Sequence, residues 1–257
     1  MTAVLEPLAA RYASWLRLPA AATAVTDEED PAKVRAMPLI LRIERADPPT
    51  RTALLEAAAA AAVAVCLDPR AEPGGEWHDD VAAWIGHRIR KVARRARGAH
   101  WHAVQDLPGI TSEVDGAQVR ALVPGRVVDA PKEVTRLQIS GSELELDDPG
   151  PAPPGVPVLW LNPTVEMSAG KAAAQVGHAT MLLAALLHAD NQVDQLTSWS
   201  TMDCRCAVRT PIPRQWADLH PGNDPAAAWA SRRLVAVRDA GFTEIAPGTV
   251  TVIAQIP

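Results

Sequence analysis

Apolar and polar positions change period along this chain, and each change predicts an element. "MPLILRIE" (Met37 to Glu44) is an almost unbroken apolar run with β-branched members, which predicts a strand. "TALLEAAAAAAVAVCL" (Thr52 to Leu67) follows, with helix length and strong helix propensity. "DDVAAWIGHRIRKVARRARG" reads as a second helix ending at Gly98, and "HWHAVQD" and "AQVRALVP" as two strands joined across Gly116. After an irregular stretch the alternation resumes. "VPVLWLN" predicts a strand, Gly170 to Leu187 a helix, Val193 to Trp199 a short helix, "CAVRTPI" a strand and "DPAAAWASRRL" a helix. "VAVRDAG" and "TVTVIAQI" then read as strands joined by a turn at Pro247 and Gly248.

Strands alternating with helices make this an α/β protein, and the breaks in the pattern divide it. Residues 1–36, with the amphipathic "RYASWLRL" and the acidic "DEEDPAK", form an N-terminal appendage. Residues 37–146 form one α/β domain, the Pro/Gly-rich "DDPGPAPPG" at 147–155 a linker, and residues 156–257 a second α/β domain. The two domains share a faint repeat. An offset of 119 sets "MPLILRIE" against "VPVLWLNP" and brings Thr52, Glu56 and Ala59 under Lys171, Gln175 and His178. At the far end Val104, Asp106, Val119, Ala121 and Pro124 align with Val237, Asp239, Val252, Ala254 and Pro257. The first domain then reads as a degenerate copy that lacks a counterpart of the "CAVRTPI" strand.

Charge and cysteine content narrow the classes. A net charge of −5 argues against a chain that coats nucleic acid with its whole surface, while leaving room for a local basic face. The three cysteines, Cys66, Cys204 and Cys206, are odd in number and include a tight Cys-x-Cys, so the chain reads as reduced and cytoplasmic. No signal-type segment is evident and the apolar runs are short for a bilayer, which argues against a membrane partner. Cys204 and Cys206 with Asp203 or His220 make a weak metal set, and there is no Gly-x-Ser-x-Gly elbow, so neither a metal nor another cofactor is expected.

The chemistry concentrates in "MSAGKAAAQVGHA" (Met167 to Ala179). On a helix Lys171, Gln175 and His178 share one stripe, and Gly170 marks a helix start whose unpaired N–H groups suit a phosphate or a developing oxyanion. A solvated helix face is the plainer reading of the same spacing. Together with "DAGFTEIAPGTVTVIA", the stretch resembles the archaeal/eukaryotic-type peptidyl-tRNA hydrolase family, the Pth2 class. That family carries Met-x-x-Gly-Lys-x-Ala-Ala-Gln-x-x-His-Ala near its start and Asp-x-Gly-x-Thr with Pro-Gly-x-x-Thr-Val near its end.

The resemblance covers residues 156–257 and implies a four-stranded mixed sheet flanked by helices. It implies hydrolysis, without a metal, of the ester joining a peptide to the 3′ end of tRNA. Lys171, Asp239, Thr243 and Thr251 match catalytic positions, and Gly170, Gln175 and His178 match substrate-binding ones. A carboxylate can deprotonate water and a neighbouring ammonium can stabilise an oxyanion, which is what such hydrolysis needs. Phe242 stands where the family carries a basic or polar residue, and "AQIP" lacks its usual glycine. The expected tRNA contacts are therefore Arg209 and, on a basic ridge of the second predicted helix, Arg88, Lys91, Arg94 and Arg95. Two other readings stay open: a non-catalytic tRNA- or protein-binding module, and a hydrolase or acyltransferase acting on another aminoacyl-tRNA. The pairing is open too, either a homodimer or an intrachain pseudo-dimer.

Overall fold

The computed structural model describes residues 3–17, 29–222, 224–241 and 245–257. Helix α1 (Glu6–Arg17) comes first, and its Tyr12 is buried. Strand β1 (Arg35–Arg42) follows, then helix α2 (Arg51–Leu67), capped by the Thr50 side chain. Helix α3 (His78–Ile85) leads into β2 (Lys91–Ala96), helix α4 (Gly98–Val104), β3 (Gly109–Val114), β4 (Ala117–Leu122), the two-residue β5 (Gly125–Arg126) and the single turn α5 (Lys132–Thr135). The second half runs β6 (Val158–Leu161), α6 (Ala169–Ala189), α7 (Val193–Thr201), β7 (Ala207–Arg209), α8 (Pro213–Leu219), α9 (Pro225–Arg232), β8 (Leu234–Arg238) and β9 (Val250–Gln255).

The C-terminal sheet is mixed and four-stranded, in the order β7-β6-β9-β8. Strand β6 runs parallel to β7 and antiparallel to β9, which is antiparallel to β8. The first sheet repeats this plan as β2-β1-β4-β3, parallel between β1 and β2 and antiparallel elsewhere, with β5 added beside β1. The earlier sheet thus fits a repeat-like unit.

Several sequence expectations are corrected here. The second predicted helix stops at Ile85, where Gly86 caps it, and the basic run that follows is strand β2. Its residues pair in register with β1, from Met37 beside Lys91 to Arg42 beside Ala96, so tertiary hydrogen bonding overrides the helix propensity of an Arg/Lys/Ala run. This strand is also the counterpart of β7, so the first half does not lack one. "HWHAVQD" is helical, because Trp101 and Val104 are spaced to bury one helix face in a cluster with Ile40, Ala96, Leu122, Val134 and Leu137. The strand lies further on at β3, closed onto β4 by a tight turn with Asp115 and Gly116 at positive φ. Val119 and Val252, and Ala121 and Ala254, do occupy matching places on β4 and β9, pairing with β1 and β6 in the same way. Asp106 does not match Asp239, since it precedes β3 whereas Asp239 follows β8.

The two long helices α2 and α6 lie side by side between the sheets. Nearly all of α2 is buried, including Ala57 to Val63, and small residues bring the backbones close. The Thr180 hydroxyl donates to the Ala59 carbonyl at 2.8 Å across this contact. By length and composition α6 could cross a membrane, yet 83% of its apolar window is buried inside the protein, and it serves as the core helix. Helix α1 is packed rather than loose: the Ala236 amide on edge strand β8 donates to the Tyr12 hydroxyl at 2.8 Å. That contact blunts an exposed strand edge.

Candidate active site

The site grows from the first turn of α6 and the ends of β8 and β9. Ser168 is the N-cap, its hydroxyl accepting from the Lys171 amide at 3.2 Å, which fixes the helix start. One turn later Gln175 points the same way as Lys171. At the end of β8 the chain turns through Asp239, whose amide donates to the Thr249 carbonyl and whose carbonyl accepts from the Gly248 amide, both at 2.8 Å. Gly241 follows at φ +78, close against Pro247. A Cβ at Gly241 would lie 2.8 Å from that ring, so glycine alone fits this turn.

These elements converge on the Asp239 carboxylate. Lys171 Nζ donates to Oδ2 at 2.5 Å and Gln175 Nε2 donates to the same oxygen at 2.9 Å. The Gly241 amide donates to Oδ1 at 2.7 Å. Every one of these partners is a donor, so the group is arranged as an ionised carboxylate that only accepts. The Thr251 hydroxyl donates to Gln175 Oε1 at 2.6 Å, which fixes which end of the amide faces the aspartate. Thr251 is fully buried and reaches the carboxylate only through Gln175. The Asp239 side chain is 4% exposed and that of Lys171 12%, so the ammonium is the more open member of the pair.

The remaining expected residues fall outside this convergence. The Gly170 amide is not open: it donates to the Ser142 hydroxyl at 3.1 Å, and that hydroxyl fills the space an anion would need at this N–H. His178 lies two turns beyond Lys171 with its Nδ1 3.0 Å from Lys91 Nζ. Burial, then the Lys91 and Lys171 ammoniums, hold its imidazole well below its ordinary pKa, so it stays neutral. Thr243 and Phe242 lie outside the described residues.

The expected tRNA contacts are displaced by the change from helix to strand. Lys91 is drawn against His178 and the Trp84 ring, and burial lowers its pKa to about 7. Arg88 and Arg90 reach Glu29, Arg94 donates to the Leu137 carbonyl, and Arg95 donates to the Gly141 carbonyl and the Gln138 side chain. Arg209 is bound by Glu56 at 2.9 Å and by the Gly150 and Pro151 carbonyls. No continuous ridge therefore joins these residues. The three cysteines are buried, and burial pushes the Cys66 and Cys204 thiols up to about 12.

Sequence reasoning missed Ser142 here, and it placed Gly241 within the Asp-x-Gly-x-Thr motif without giving it a role. Ser142 gave no local signal, because it is brought to Gly170 from 28 positions away. Residues 156–257 match the family model described as Peptidyl-tRNA hydrolase PTH2. Comparison with curated proteins and with solved structures gave no match.

Proposed function

We propose that the C-terminal unit, a peptidyl-tRNA hydrolase family domain over residues 156–257, hydrolyses the ester between an N-acylated amino acid or peptide and the 3′ end of tRNA. The observation that carries this reading is the Lys171–Asp239 pair, held on one carboxylate oxygen with Gln175. A carboxylate offers about four acceptor sites, and the three donors supplied by the described residues leave Oδ1 a place for water. Asp239 then acts as general base on that water. Lys171, the more open partner, stabilises the oxyanion as the water oxygen bonds to the ester carbon. Collapse breaks the bond to the ribose oxygen, which takes up a proton as it leaves. Gln175 and Thr251 are positioning residues that keep the carboxylate aimed. Among the described residues the first half offers no second centre of this kind: at the sequence offset of 119 Thr52 and Glu56 stand in place of Lys171 and Gln175, and Glu56 is committed to Arg209 and the Val208 amide. It reads as a degenerate copy of the same unit, joined through the 147–155 segment.

Incubating the full chain with N-acetyl-aminoacyl-tRNA tests this. Release of the acyl amino acid is expected, and Lys171→Ala or Asp239→Asn is expected to slow it by about 10²-fold or more, as for loss of a general base or an oxyanion partner. Undiminished turnover by both variants would falsify the assignment. Free-amine aminoacyl-tRNA run alongside separates this reading from one in which another aminoacyl-tRNA is the substrate.

A further inference from the structure

In the C-terminal unit Arg209 and Arg233 are both committed to carboxylates. Cationic groups gather instead on the first half, at the C-terminal end of β2. A groove of about 220 Å³ opens there, with Arg95, Arg97, His100 and Arg136 around it and Ile43 and Leu137 among its walls. The fork of Arg95 is held by Gln138 and Gly141, so its charge is fixed in place. The Arg97 and Arg136 side chains make no hydrogen bond or ion pair among the described residues. The nearby carboxylate, Glu44, accepts from Arg42 Nε at 3.1 Å and the Gly98 amide at 3.3 Å and also interacts with the Arg97 charge, so it is shared between two arginines and offsets the charge of the groove only in part.

Its position ties it to the active site. Ala93 of β2 lies against Gly170, where an added Cβ would come 3.4 Å from the Ala93 Cβ, and Gly170 precedes the reacting lysine. Arg95 is two residues further along the strand and Arg97 four, which spans about 13 Å at ~3.3 Å per residue. A second thread runs the same way: the Gly170 amide donates to Ser142, and the carbonyl of its neighbour Gly141 accepts from Arg95. The groove therefore starts just beyond the N-terminal end of the catalytic helix, within one or two nucleotides' length of Lys171.

We infer that the Arg95, Arg97, His100 and Arg136 groove of the first half binds backbone phosphates of the tRNA whose 3′ ester lies at Lys171 and Asp239. The inference rests on the acyl-tRNA reading above. It gives the first half a role of its own, in which the degenerate copy has lost the chemistry and supplies the electrostatic grip. Phosphate contacts of this kind fix register without reading sequence, so the groove would accept many tRNAs.

Binding of deacylated tRNA to the full chain, measured by fluorescence anisotropy over a range of salt, tests the inference. Arg97→Ala with Arg136→Ala is expected to weaken binding about tenfold and to flatten the log Kd against log salt slope by about 1.5 to 2, as two lost phosphate contacts require. Lys33→Ala with Arg126→Ala removes equal charge at the other end of β1 and is expected to change neither. In turnover, the groove variant is expected to raise KM for N-acetyl-aminoacyl-tRNA with kcat kept. Its rate on a 3′-(N-acetyl-aminoacyl)-adenosine ester, which has no phosphates to hold, should match wild type. Should the double variant melt early, Arg136→Glu alone, at an exposed position, reads the same slope. Equal losses from both charge-removal pairs, or no loss from the groove pair, overturns the proposal. Absence of cleavage with the binding difference intact would instead defeat the hydrolase reading and leave the groove standing.

Discussion

Gln175 shows what single residues do here and how much of it the sequence held. Its spacing from Lys171 placed both on one helix face, and the match of Lys171 and Asp239 to separate motifs brought the strand end to them. What spacing could not show is the order of contact, with Thr251 donating to Gln175 and Gln175 donating to Asp239. That order makes the glutamine a linchpin between a buried hydroxyl and a charged oxygen. Gln175→Leu removes one donor from the carboxylate and strands the Thr251 hydroxyl, which is fully buried and retains only a long 3.4 Å contact to the Val237 carbonyl. Leaving a buried polar group without a good partner costs about 1–3 kcal/mol. The variant is expected to unfold at lower denaturant and to lose roughly tenfold in kcat, and Gln175→Glu, which keeps the shape but sets a second buried carboxylate against the Asp239 oxygen, should lose both activity and stability. Chemical denaturation beside single-turnover assays would check it, and a Gln175→Leu enzyme with wild-type kcat would show that the amide does not aim the base.

At the scale of elements, the strong period signals were right in kind and the charged, weakly periodic ones were wrong. The α2 and α6 helices and strands β1, β6, β8 and β9 all lie where apolar runs predicted them. The errors fell on α4, which was expected as a strand, and on β2, where Lys91–Ala96 has the composition of a helix and takes its strand geometry from hydrogen bonds to a β1 that is over fifty residues distant. No local pattern holds that information. The consequence was functional, since a ridge of cations on a helix becomes, on a strand, two sets facing opposite ways. The close packing of α6 on α2 was similarly hidden, because its cause is the absence of side chains. A Cβ placed at Gly177 would come 2.9 Å from the Ala62 Cβ and 3.2 Å from the Lys91 stem. Gly177→Ala gains helix propensity but forces the two helices apart, and overpacking of this type costs about 1–3 kcal/mol. Its urea midpoint should fall below wild type. A rise would mean that the interface yields without cost.

For the whole molecule, the shared topology of the two sheets sets each half's outermost parallel strand against the other half's long helix. Strand β2 lies along α6, with Ala93 at Gly170 and Lys91 at Gly177, and β7 meets α2 through Val208 and Glu56. The seam is not apolar throughout, for Lys91 and His178 meet inside it. Burial lowers the Lys91 pKa to about 7 from its ordinary 10.5, so between those values the unfolded chain holds a proton that the folded chain has released. Stability is therefore lost progressively as the pH drops from 10.5 towards 7, and the cost of enclosing an ammonium is fully felt below pH 7. His178, whose imidazole is also held low, acts in the same direction at more acid pH: below 6.5 the unfolded chain takes up a proton that the folded seam resists. The seam should therefore loosen on acidification. Lys91→Met keeps the stem packed on Gly177 and removes the titrating group. Wild type is expected to gain denaturant resistance between pH 7 and pH 9, and the variant to show a clearly flatter profile there and to exceed wild type at pH 6.5. Parallel profiles for the two proteins would mean that the ammonium reaches water and that the halves are not joined across a dry seam.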